Sequence, residues 1–236
     1  MSLPVDKYIL KDYFLNNPTW DIEDSHWKAD FTAEMLSSNG IIPASICDLG
    51  CGAGDVLAEL RNKFDSALMC GYDIAPDVVN FWLRHKKLGI DFILGDFFKL
   101  NTKNYDVLLL LDVIEHVADP FKFLNELRAK SKYFVFHVPL DLSAFNVLRE
   151  KPILEARRRN GHIHYFTKNL ALSLIAECDF KVIEWRYSGA AFCGPRSSWK
   201  TKLANITRKF LCAINKEMGV RVLGGETLFV LAQSNS

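Results

Sequence analysis

No apolar run in this 236-residue chain exceeds five residues, as in "VLLLL" at Val107–Leu111, far short of the roughly 20 that a membrane-crossing helix needs. The opening "MSLPVDKYILKDYF" lacks the apolar core of a signal peptide, so a cytoplasmic location is the expectation. Cysteine occurs six times, at Cys47, Cys51, Cys70, Cys178, Cys193 and Cys212, but never as CxxC. That leaves neither a zinc spacing nor a disulfide framework, and the thiols read as reduced. Repeats, low-complexity tracts and a linker rich in Pro, Gly or Ser are also missing.

Charge of one sign is scarce only in one place. Between Gly189 and Gly225 seven basic residues face the single acid Glu217, whereas the rest of the chain holds 22 basic and 27 acidic residues. Within that stretch Leu203, Ile206, Phe210, Leu211 and Ile214 fall near helical spacing, with Lys202, Arg208, Lys209 and Lys216 among the other positions. A solvated helix face is the plain reading. A lid over an anionic substrate, a peripheral membrane contact through 196–216 and a nucleic-acid contact are the alternatives.

What the chain does have is alternation. Short apolar runs at "SICDLG", "ALMCGYDI", "DFILGDF", "YDVLLLLDVI" and "KYFVFHVP" read as strands buried on both faces, and helical patterns at 55–64, 75–89 and 119–131 separate them. Asp119 and Pro120 supply an N-cap and a first-turn proline. A Thr-capped helix over 167–180 and strands "KVIEWRYSG" and "GETLFVLAQ" follow, with no helical crossover expected beside the last strand. The pattern predicts an α/β fold with a doubly wound, mostly parallel seven-stranded sheet, an antiparallel last strand and helical additions. As one domain it divides into a helical cap (1–44), a cofactor-binding core (45–188), a basic helical insertion (189–224) and a last strand with its tail (225–236).

The stretch "ICDLGCGAGD" runs a strand into Gly50, Gly52 and Gly54 and then into a helix. Such a turn brings backbone N–H groups and a positive helix end toward a ligand. It is GxGxG, without the third glycine of GxGxxG, and by itself also fits a tight strand-to-helix turn. Two further acids end the next two strands. Asp73 in "GYDIAPD" stands where a carboxylate accepts ribose hydroxyls, and Asp96 in "LGDFF" stands where one accepts an adenine amine, with Phe97 offered as an aromatic wall.

Together "DLGCGAGD", "GYDIAPD", "GDFF" and "YDVLLLLDVIEHVADP" resemble class I S-adenosylmethionine-dependent methyltransferases in order and spacing, over roughly 45–180. Within that class "DVIEHV", "HVPLD" and "GHIHYFT" are similar to the subgroup of ubiquinone-biosynthesis O-methyltransferases and many small-molecule methyltransferases. The resemblance implies S-adenosylmethionine as cofactor and S-adenosylhomocysteine as product. It places Asp48, Gly50, Gly52 and Gly54 around methionine and ribose, Asp73 with Ile74 at the ribose diol, Asp96 and the Phe97 backbone at adenine, and Asp112 and Val113 on the methionine side. The chain departs from the family at "RAKSKYF", which lacks the usual Pro and Gly and is expected to reshape the loop facing the substrate, and at Asp179, where a helix-ending Gly is common.

Methyl transfer needs a base only when the acceptor must lose a proton. His116 is the candidate catalytic base because imidazole titrates near neutrality. A loop histidine bonded to backbone is its plainer reading. Trp27 and Lys28, on a helix after Asp24, with His162 and His164, are candidates for the acceptor side. No metal is assigned, because the HxH pair has no acidic or Cys partner beside it in sequence. His137, in an apolar strand, reads as a satisfied core residue. The expected acceptor is a hydroxyl on a small or lipid-linked molecule. A nucleic-acid methyltransferase is disfavoured because "DVIE" stands where base-methylating enzymes carry Asn or Asp, Pro, Pro and an aromatic. A non-catalytic cofactor-binding or interaction module and a dinucleotide oxidoreductase are the other readings.

Overall fold

The computed structural model describes residues 15–189 and 215–235. In chain order the elements are α1 (Ile22–Ser38), β1 (Ser45–Leu49), α2 (Asp55–Arg61), β2 (Leu68–Asp73), α3 (Val79–Trp82), β3 (Ile90–Leu94), α4 (Phe97–Leu100), β4 (Tyr105–Leu111), α5 (Pro120–Leu127), β5 (Ser131–Pro139), α6 (Ala144–Arg149), α7 (Lys151–Glu155), α8 (Lys168–Glu177), β6 (Phe180–Tyr187), α9 (Lys216–Leu223) and β7 (Thr227–Ser234). They build a seven-stranded sheet in the order β3-β2-β1-β4-β5-β7-β6. Strands β1 to β5 are parallel, and β7 lies antiparallel between β5 and β6.

Alternation along the strands splits the core in two. Leu108 and Leu110 of β4 join Phe134 and Phe136 of β5 beneath α5 and α8. Val107, Leu109 and Leu111 face the other way with Ile46, Val135 and Phe229, beneath α1 and α2. Because all five parallel strands end at one edge and the order reverses between β1 and β4, the residues that follow each strand meet there.

The caps read from sequence hold: Asp119 Oδ1 accepts from Lys122 N at 2.9 Å, and Thr167 Oγ1 from Leu170 N at 3.3 Å. Asp179 takes the left-handed backbone, φ 61°, that a C-terminal Gly would take. Helix α1 starts at Ile22, so Asp24 lies in its first turn. The 75–89 segment, expected as one helix, is instead short 3₁₀ turns flanking α3. Its β-branched and aromatic residues are weak helix formers, and tertiary anchors prevail: Trp82 Nε1 donates to Gly52 O at 2.9 Å and stacks on Phe92, while Arg84 pairs with Asp55.

Two expectations are corrected. A helix, α9, does sit immediately before the last strand, packed against α6. The "RAKSKYF" departure forms a 3₁₀ turn, Arg128–Lys130, leading directly into β5. A helix-to-strand turn lies at the amino edge of a parallel sheet, so it does not face the substrate. Residues 196–214 of the basic stretch lie outside the described residues. No helix among the described residues is long and apolar enough to cross a membrane.

Candidate functional site

The site is assembled from the strand ends. Gly50, at φ 78°, lets the loop pass under Val113, whose Cγ2 would stand 3.0 Å from an added Cβ. Gly52 N donates to Asp73 Oδ2 at 2.8 Å, and Ala75 N to Asp73 Oδ1 at 2.9 Å. Asp73 therefore ties the glycine loop to the end of β2 and keeps lone pairs for a ligand. Gly54, at φ 84°, starts α2 against Phe92. Ile74, half-buried, follows Asp73. The indole of Trp20 covers the loop, lying 3.6 Å from where a Cβ on Gly52 would be.

Three carboxylates crowd this edge. Burial and then the charge of Asp73 push Asp48 up to about 7. Its Oδ1 is buried with no hydrogen-bond partner. Asp73 is also raised by burial, with the backbone N–H groups of Ala75 and Gly52 offsetting part of that. Burial would raise Asp112 too, but His137 and Lys28 outweigh it and hold its carboxyl well below the usual range. Lys28 Nζ stands 2.7 Å from Asp112 Oδ2. The same pair keeps Lys28 above its ordinary value, although burial alone would lower it.

Two expected positions change character. Phe97 is 4% exposed and packs edge-on against Tyr72 and Phe98 in the core, so its ring is not an adenine wall. Asp96 Oδ1 caps α4 by accepting from Phe98 N at 3.0 Å, which leaves its other oxygen at the rim beside Lys99. Trp27 donates to Asp24 Oδ1 at 3.0 Å and packs edge-on against Phe31, His137 and Phe229. That ring joins α1 to the sheet.

Beyond β4, the turn Ile114–His116 brings together groups that lie far apart in sequence. Glu115 is fully buried, neither carboxylate oxygen has a hydrogen-bond partner, and burial followed by the charge of Asp112 raises it well above the usual range. His116 Nε2 lies 3.9 Å from Glu115 Oε1. The His116 and His162 rings meet edge to face at 5.0 Å, and His162 Nδ1 donates to Asp141 Oδ2 at 2.6 Å. His164 is spent on structure: Nε2 donates to Val117 O at 2.9 Å, while its backbone N–H and that of Ile163 both donate to Glu115 O. The fold thus brings to the histidines an acid, Glu115, that the sequence beside the HxH pair does not supply. Glu115, His116 and His162 offer ligand atoms within 4.8 Å of one another, a set that could close on a divalent cation, with Asp141 orienting His162 from behind.

Residues 25–184 match the family model of a methyltransferase domain. The chain belongs to that methyltransferase family. Over 50 residues, 21% of this chain and 18% of the relative, it is 40% identical to a malonyl-[acyl-carrier protein] O-methyltransferase of Hahella chejuensis. It is 30% identical to a ubiquinone biosynthesis O-methyltransferase of Histophilus somni over 105 residues, 40% of this chain and 43% of the relative. The matches thus span less than half the length of these curated relatives. Among solved structures, the plantazolicin methyltransferase BpumL, in complex with a triazolic desmethylPZN analog and SAH, superposes with a TM-score of 0.64 at 17% identity, covering 99% of this chain and 97% of that one. This likeness shows the fold: a methyltransferase domain on a seven-stranded, Rossmann-like sheet.

Proposed function

We propose that this methyltransferase moves a methyl group from S-adenosylmethionine to a hydroxyl of a small or lipid-linked acceptor. When bound, the cofactor supplies a methyl carbon already activated by a sulfonium leaving group. The residues present fit it. The unpartnered Asp48 oxygen and the adjacent Asp112 carboxylate suit a cationic molecule better than an anionic pyrophosphate. Its amino-acid end carries both an ammonium and a carboxylate, and the Asp112–Lys28 pair offers each its opposite charge. Lys28 thereby moves from the acceptor side to the cofactor side of the site. Asp73 takes the ribose hydroxyls, with Ile74 and Val113 lining the pocket and Asp96 at the adenine.

The observation that carries the hydroxyl reading is His116, one turn past Asp112, beside the buried Glu115 carboxyl and against the Asp141–His162 pair. His116 accepts the acceptor's proton, and His162, its ring fixed by Asp141, orients the acceptor's oxygen. Holding nucleophile and methyl in line supplies the larger share of the rate, up to about 7–11 kcal/mol in favourable intramolecular cases, while a positioned base adds roughly 10²–10⁴-fold. The relatives are named as a malonyl-[acyl-carrier protein] O-methyltransferase and a ubiquinone biosynthesis O-methyltransferase, which is the ground for including lipid-linked and carrier-linked acceptors.

The test is incubation with S-adenosylmethionine and phenolic, sugar, lipid-linked and carrier-linked acceptors, read by mass spectrometry for the gain of one methyl. Transfer to a hydroxyl that persists after dialysis against a chelator supports the reading. Transfer to nitrogen or to RNA alone overturns the acceptor class. Activity lost on chelation and restored by a divalent cation makes His116 a ligand and not a base.

A further inference from the structure

We infer that His137 is a positioning residue that holds the Asp112 carboxylate in the orientation the cofactor's amino-acid end requires. This rests on the cofactor reading above. The imidazole is 3% exposed on β5, and the proposed chemistry does not use it. Its Nδ1 donates to Asp112 Oδ1 at 2.7 Å, and its Nε2 meets Thr227 Oγ1 at 2.7 Å, with Thr227 in turn bonded to the Ser188 hydroxyl. Phe229 and Trp27 pack against the ring with centroids 4.6 and 5.5 Å away. Bonded at both nitrogens and packed by two aromatic rings, the ring has no free rotation.

Asp112 needs such a partner. It is a non-glycine residue at φ 57°, a left-handed backbone region uncommon outside glycine, which the surroundings must hold. The backbone bond from Asp112 N to His137 O, 3.0 Å, and the side-chain bond from His137 to Asp112 fasten the same two residues twice. His137 thereby divides the carboxylate. Oδ1 is committed to the sheet, and Oδ2 stays toward Lys28 and the pocket. Without the imidazole, Oδ1 would lack its donor, and the carboxylate could turn to give Lys28 both oxygens, leaving less for a ligand's ammonium. The relay also fixes β7 and the end of β6 to the cofactor edge through Thr227 and Ser188.

Three variants separate positioning from packing, because an Asn amide nitrogen reaches the place of Nδ1 and a Gln amide nitrogen the place of Nε2. Binding of S-adenosylhomocysteine by calorimetry needs no acceptor, and thermal melting reports the fold. His137→Asn is expected to bind within about threefold of wild type, while His137→Gln and His137→Phe weaken binding by about 10- to 100-fold, the usual worth of a hydrogen bond to a charged group. Equal losses in folded Asn and Gln variants overturn the proposal. A wild-type protein that binds no S-adenosylhomocysteine overturns the cofactor reading itself.

Discussion

The ammonium of Lys28 lies 2.7 Å from Asp112 Oδ2, so a helix near the amino end of the chain closes onto the end of β4 across 84 residues of sequence. Helix α1 is braced for this by Arg186 of β6, which bonds Glu34 and Ser38, and by the stacking of Phe31 on Phe229 at 5.1 Å. Replacing Lys28 by Met keeps the stem and removes the charge. Cofactor-product affinity is expected to fall about 10- to 100-fold in calorimetry, because the ligand's carboxylate loses its cation. Lys28→Arg should recover most of it, and equal affinity in all three proteins would assign Lys28 to the fold alone.

Asp73 serves both the loop and the ligand. Asp73→Ala is expected to weaken binding by about 1.5–3 kcal/mol, roughly 10- to 150-fold. Because it also strands the N–H groups of Gly52 and Ala75, the melting temperature should fall as well, by an amount equivalent to about 1–3 kcal/mol. A strand-end carboxylate alone would predict no change in stability, so the melt distinguishes the anchoring role.

The raised Asp48 carboxyl ties stability to pH. With an ordinary value near 4 and burial holding it up to about 7 in the folded chain, protonated Asp48 favours folding at low pH. That advantage is fully present below about 4 and is lost as pH rises through about 7. Asp48→Asn cannot ionise, so its stability relative to wild type should climb over this window and then level off, by about 2–4 kcal/mol in all. Urea melts at pH 4.5 and 8 check it, and a pH-independent difference would show that Asp48 does not carry the effect.

The sheet was legible because each parallel strand reads as an apolar run, four of the five closed by Asp or Gly, and the acids Asp48, Asp73, Asp96 and Asp112 mark the edge where ligands bind. Their partners were not legible. Lys28 meets Asp112, Glu115 meets His162, and His137 meets Thr227 only because the sheet order brings distant segments to one edge. An apolar neighbourhood placed His137 correctly in the interior and concealed that both its nitrogens are engaged. Phe97 was misread for the complementary reason: an aromatic after an acidic strand end can face either side of the short helix it begins, and here it turns inward.

His116 carries the sharpest chemical prediction. A base removes a proton that a weakly acidic hydroxyl keeps and an acidic phenol has already lost. His116→Ala should therefore leave affinity for S-adenosylhomocysteine within a few-fold, and should lower turnover of weakly acidic acceptors by about two to four orders of magnitude. The deficit should shrink steadily along a series of phenols of rising acidity. If His116 only orients the acceptor against His162, every phenol loses its contact alike and the deficit is uniform. Measured rates across that series, mutant against wild type, separate the two: a sloping deficit assigns the proton to His116, and a flat one removes it from the role of base.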